Sequence, residues 1–188
     1  MTGSMIFFKA GTFIEKYCKI YDKNTAGGSV KHPFLPFPNT GNMAVKRHVF
    51  ERVGMFDVHF PWCEDNEFGW RLGTTSAFKI RFAADAVVYH KHRSTLAGLL
   101  KQKRNYGYGK ILLYQKFAGY RKNIFQDAGE LIGDTLTLLL RTGARLLKVL
   151  FRRERTLLYV GEHVISILGI GARFWGMLQA RVEYRIWL

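Results

Sequence analysis

The sequence predicts a mixed α/β unit followed by a helical tail, and three observations carry that prediction. Two β-prone runs, at 77–82 and 86–90, follow segments whose apolar residues recur at helical spacing. Beyond Thr95 the pattern becomes almost continuously helical. The charge divides at the same place. Of a net +15, the first 95 residues contribute 13 basic minus 8 acidic and the remainder 16 minus 6, so the tail holds +10. With 48% hydrophobic and 15% aromatic residues the chain can bury a core, which excludes a disordered segment. The basic excess of the tail calls for an anionic partner there: phosphate, nucleic acid or a lipid surface.

Residues 9–22 read as a short helix, with Phe13, Tyr17 and Ile20 on one face. Residues 23–30 are a polar, Gly-rich loop. Three prolines within 33–38 remove N–H donors and force extended backbone, so this stretch is not helix. Thr40, Gly41 and Asn42 form a tight turn leading into a short strand or helix entry. A helix at 45–53 stops at Gly54. A second helix at 64–72 begins with Glu64, Asp65 and Glu67 and is followed by Gly73. Ala83, Ala84 and Asp85 make the turn between the two strands. Cys18 and Cys63 form no disulfide or metal pattern, which points to a reducing compartment. The first four residues lack the charged start of a secretory signal.

The knot Glu64-Asp65-Asn66-Glu67, set between Trp62 and Phe68-Gly69-Trp70-Arg71, is the stretch most suited to chemistry. A carboxylate placed on an acceptor hydroxyl can act as a general base. The same residues in a first helical turn also cap backbone N–H groups and complement the helix dipole. Two carboxylates facing each other across a glycosidic bond are a poorer fit, because adjacent helical residues point in different directions. On a strand His90 and His92 face one side, which suits either a metal or a core histidine beside a surface one.

Taken in order, the turn at 40–42, the segment ending Gly54-Met55-Phe56-Asp57 and the line Glu64, Asp65, Phe68, Gly69, Trp70, Arg71 resemble the second half of the catalytic domain of family 2 glycosyltransferases. Those enzymes have a GT-A fold and move a sugar from a nucleotide-sugar donor to an acceptor hydroxyl. The resemblance runs over roughly 37–117. It implies that Asp65 is the catalytic base and Glu64 its support. Thr40, Gly41, Asn42 and Trp70 would line the sugar pocket, and Gln102 with Arg104 would meet phosphate. It implies a divalent metal, Mn²⁺ or Mg²⁺, with His90 as a ligand. The acceptor would be a glycan or a lipid-linked molecule of cell-surface or exopolysaccharide synthesis. The carboxylate pair that bridges metal to donor diphosphate has no counterpart, since Asp22, Asp57, Asp65, Asp85, Asp127 and Asp134 include no Asp-x-Asp. Residues 1–119 therefore read as the acceptor-side half of a GT-A domain. The expected alternative is a non-catalytic membrane-surface or partner-binding remnant.

Residues 120–188 read as a basic amphipathic helical tail. Glu130, Asp134, Thr137, Arg141, Arg145, Lys148 and Arg152 recur every three or four positions, with leucines over the remaining surface. A span would carry Arg141, Arg145 and Lys148 into hydrocarbon at about 2.5–3.5 kcal/mol each near the centre. Lying flat, the tail would meet anionic headgroups with its basic stripe. The expected location is the cytoplasmic membrane face, peripherally, or the cytoplasm. No nucleic-acid module accompanies the charge, so nucleic acid is the disfavoured partner.

Overall fold

The structure, a computed structural model, describes residues 1–21, 27–120, 124–151 and 156–186, with side chains described except at 124, 141–142, 144–151 and 156–160. The mixed α/β class forms as the sequence predicts. The chain divides into two compact units, Met1–Thr95 and Leu96–Leu188. The helix opening the second unit falls within the stretch 1–119 that the sequence reading assigns to one domain.

The first unit contains β1 (Thr2–Phe7), α1 (Phe13–Tyr21), α2 (Arg47–Val53), α3 (Glu64–Thr75) and β2 (Phe82–His90). Helix α1 opens with a capping box: Thr12 Oγ1 accepts the Glu15 N–H at 3.2 Å, and Glu15 Oε2 accepts the N–H groups of Gly11 and Thr12 at 2.7 and 2.9 Å. Strands β1 and β2 pair in parallel. The turn predicted at Ala83, Ala84 and Asp85 does not form, and the two predicted strands become one. Ala83 pairs with Gly3 but Val87 pairs with Ser4, so 84–86 bulge out of the ladder. Small residues there accommodate an irregularity within one strand. Residues 77–81 precede the ladder, because β1 begins at Thr2, which pairs with Phe82.

Helix α3 runs past Gly73 to Thr75. Thr74 and Thr75 donate their hydroxyls back to the carbonyls of Trp70 and Arg71 at 2.9 and 2.7 Å, and the Ser76 hydroxyl donates at 2.7 Å to the carbonyl of Leu72, one of the last four that a helix end leaves without an intrahelical partner. One face of α3 buries Phe68 and Leu72 against Val49 of α2, with Phe50 and Phe56 stacking around Phe68 at 5.3 and 5.1 Å.

The second unit holds α4 (Leu96–Lys116), α5 (Ile124–Phe151) and α6 (Thr156–Tyr184). Helices α4 and α6 cross where Gly107 meets the carbonyl of Arg173 and Gly176 meets the carbonyl of Arg104, leaving no room for a Cβ at either glycine. Around the buried Asp127 of α5 converge three partners. Arg181 ion-pairs with it, the Tyr114 hydroxyl donates to it at 2.9 Å, and Lys110 lies 3.3 Å away while also pairing with Glu130. Phe125, Ile132, Leu136, Leu139 and Leu140 of α5 are exposed. Of the expected basic stripe, Arg141, Arg145, Lys148 and Arg152 have side chains outside those described. Among the described residues no helix is long and apolar enough to cross a membrane.

Candidate active site

The site is built from the sheet outwards. Asn42 fills the bulge: its side-chain amide donates to Ser4 O at 2.8 Å and to Ala86 O at 2.7 Å, tying the two strands together where their ladder is interrupted. Thr2 Oγ1 donates to Asn42 O at 3.2 Å and accepts the Asn39 N–H at 3.0 Å. The Asn39 side chain then accepts the Gly41 N–H at 3.0 Å, closing the helical turn Thr40–Asn42. The turn is thus anchored to the sheet, with Thr40 and Gly41 left exposed.

Helix α3 delivers the acid pair. Its N-cap residue, Cys63, sits in the left-handed region at φ 61° and gives no side-chain cap. For a residue with a Cβ this conformation costs ~1–3 kcal/mol, a cost that tends to persist where function needs the backbone held. Burial pushes the Cys63 thiol far above the ordinary thiol range, reinforced by the charges of Asp65 and Glu64, so it is no nucleophile. Asp65 Oδ1 accepts the Asn66 N–H at 2.9 Å, and the backbone of Thr40 also hydrogen-bonds the carboxylate. The Thr40 hydroxyl lies 3.5 Å from Glu64 Oε1. Turn and acid pair, 24 positions apart in sequence, therefore meet.

The half-buried Asp65 carboxyl is pushed up to about 6. Burial is the largest cause and the neighbouring Glu64 charge the second; N–H groups of Asn66, Asp65 and Thr40 oppose both. Among the described residues no lysine or arginine pairs with either acid. A carboxylate of this kind is ionised at neutral pH yet holds a proton far better than an ordinary aspartate, which is what general-base work asks of it.

Residues 9–175 match the family described as glycosyl transferase family group 2. The chain belongs to glycosyltransferase family 2. The match extends beyond the motif-bearing stretch and takes in α4, α5 and most of α6. Among curated proteins and among solved structures nothing matches. The small parallel sheet with its helices is compatible with part of a GT-A core.

For this family 2 chain, the motif line divides by burial. Glu64 and Asp65 are partly accessible, whereas Phe68, Gly69 and Trp70 are buried. Trp70, expected at the sugar, is wholly buried with its N–H donated to Leu35 O at 2.8 Å, and Phe34 packs edge-on at 4.9 Å. It holds the proline-rich segment against α3. Gly69 permits that approach, since a Cβ there would come within 2.8 Å of Pro38. Arg71 is a clamp. It pairs with the fully buried Glu67 at 2.7 and 3.0 Å and donates to the carbonyls of Val53, Gly54 and Met55. The Glu67–Arg71 pair, spaced i to i+4, was available in the sequence as a helix-face signal.

Asn42 has its amide engaged with the two strands. Gln102 and Arg104 belong to α4 in the second unit, where Gln102 donates to the Tyr106 hydroxyl at 2.9 Å and Arg104 to Gln179 Oε1 at 3.1 and 2.6 Å. His90 is exposed at the end of β2, its ring 5.5 Å from that of His92. Family 2 glycosyltransferases commonly use divalent metals, but among the described residues no three His, Cys, Asp or Glu side chains come together to hold one. Among the described residues His90 belongs to no such group. The residues described do not fit a metal site.

Proposed function

We propose that this chain carries the acceptor side of a glycosyl transfer, with Asp65 as the general base. The acceptor hydroxyl gives its proton to Asp65 as its oxygen bonds to the anomeric carbon of a nucleotide sugar and the nucleoside diphosphate leaves. Glu64 holds the pair's negative charge beside Asp65 and contacts Thr40, and the exposed Thr40 and Gly41 border the acceptor. The donor diphosphate would be held by residues supplied from outside this chain, since none of its aspartates is spaced to bridge a metal to phosphate. The observation that supports the reading is the Asp65 carboxyl itself: partly accessible, bonded to backbone N–H groups, and raised by burial and by Glu64. Asp65→Asn, assayed with the donor-binding half present, should lower turnover by about 10²- to 10⁴-fold and leave donor affinity nearly unchanged. Turnover within a few-fold of the parent enzyme would sink the assignment.

A second reading concerns α5, whose exposed Phe125, Ile132, Leu136, Leu139 and Leu140 favour a lipid surface. The tail would lie in the plane of an anionic cytoplasmic leaflet and bring the acid pair to acceptors of cell-surface glycan synthesis. Liposome flotation with and without anionic lipid tests it. Equal recovery in the unbound fraction under both conditions would leave α5 as a face for protein partners.

A further inference from the structure

The first unit contains a cavity of about 670 Å³ that no step of the transfer uses. Its inner wall is the apolar cluster of Val49, Phe68 and Leu72, extended by Phe78 and Ile80. Its ionisable lining side chains are Lys46, His48, Lys79 and Arg81, and no carboxylate accompanies them. Lys46, Lys79 and Arg81 are exposed, and among the described residues none of the three is ion-paired. The volume lies within the range of small-molecule sites, about 300–1,000 Å³.

These two features constrain an occupant jointly. Water in the cavity leaves the partly buried Val45, Phe78 and Ile80 hydrated, and a neutral apolar guest would cover them while leaving three cations facing only counterions. A small anion alone would answer the cations and leave the wall wet. One molecule answers both: a single apolar chain ending in a compact anion. We propose that this cavity binds a single-chain anionic amphiphile, in its simplest form an alkyl phosphate. The chain lies against Val45, Phe78 and Ile80, over the buried Phe68 and Leu72, and the head meets Lys46, Lys79 and Arg81. Neither Glu64 nor Asp65 lines the cavity, so this site stands or falls independently of the transfer reading.

Calorimetry on the whole chain with butyl, hexyl and octyl phosphate, each below its aggregation concentration, is the test. Affinity should rise roughly tenfold for each two methylenes added, the increment expected for burying them. Octyl glucoside and inorganic phosphate should each bind at least about tenfold more weakly than octyl phosphate, since each lacks one of the two features. The triple variant Lys46→Glu, Lys79→Glu, Arg81→Glu alters only exposed side chains and should lose octyl phosphate binding while keeping its circular dichroism. Chain-length-independent affinity, equal binding of the glucoside, or an unaffected variant would each overturn the proposal. If the triple variant misfolds, Lys79→Glu alone and the chain-length series on the unaltered protein decide in the same way.

Discussion

Asp65 of the first unit and Asp127 of the second are the same residue type in opposite surroundings. Asp127 is almost wholly buried, yet it has an arginine, a lysine and a tyrosine hydroxyl on its two oxygens. Asp65 is more accessible, but backbone N–H groups hydrogen-bond its carboxylate and its neighbour is another carboxylate. Burial by itself therefore does not distinguish a reactive acid from a structural one. The distinction is whether the surroundings answer its charge. At Asp127 they do, and the carboxylate joins α4, α5 and α6. At Asp65 they do so only in part, and the unanswered remainder is what lifts its proton affinity.

The largest effect that could break this comparison is on the second unit. Arg181→Met should leave Asp127 buried without its main partner and destabilise the unit by about 3–5 kcal/mol, read from denaturant unfolding. A loss below about 1 kcal/mol would mean that Asp127 is no more answered than Asp65. The converse change should act with the opposite sign. The Asp65 carboxyl is raised from the ordinary 3.8 to about 6, so its contribution to stability is fully present below the lower value and is lost as pH rises through the upper one. At about 1.4 kcal/mol per pH unit, the charged form opposes folding by at most about 3 kcal/mol. Asp65→Asn should therefore stabilise the chain by about 1–3 kcal/mol at pH 8 and by little at pH 4, as thermal melts across that range would report. A uniform destabilisation would remove the strain from Asp65.

A third acid sharpens the contrast within the first unit. Glu15 is held below the usual carboxylate range by the N–H groups of Thr12 and Gly11, so its contribution is present above 4.5 and lost as pH falls through its lowered value. It should therefore fade under acid while the Asp65 contribution returns. Thr12→Ala, which breaks the same capping box, should cost about 1 kcal/mol in unfolding free energy. The smallest effect is Glu64→Gln. It removes the second cause of the raised Asp65 carboxyl and should move the acid limb of the turnover profile to lower pH by less than about one unit. A limb that stays in place would show burial to be the whole cause.

The sequence made local features legible where one residue decides them. Gly54 ends α2, with φ 89°, and the acidic first turn of α3 starts at Glu64 as predicted. The helices after Thr95 follow from their spacing. What stayed hidden was non-local. Strand β1 is a short apolar start whose pairing with β2 spans about eighty positions, and nothing in Met5 to Phe8 announces a parallel partner. The small residues 83–85 signal an irregularity, but a turn and a bulge draw on the same residue types. Within the site, the order of the turn and the acid pair is legible in the sequence, and the contact of Thr40 with Glu64 is added by the fold. The burial of Trp70 and the engagement of Asn42 are set by tertiary packing that spacing does not encode. The capping box of Thr12 and Glu15 was readable from its two residues alone.

The crossing at Gly107 and Gly176 fixes more than a distance. Each glycine lies against a carbonyl of the opposite helix, and the Arg104–Gln179 contact sits one turn from that point on both helices. If α6 slid along α4 by one turn, about 5.4 Å, both glycine–carbonyl contacts would be lost and the Arg104–Gln179 hydrogen bonds would break. The two close approaches and the bonds beside them therefore share one longitudinal setting, as a key and its lock share one depth. A stroke between α4 and α6 would have to give up all of them together.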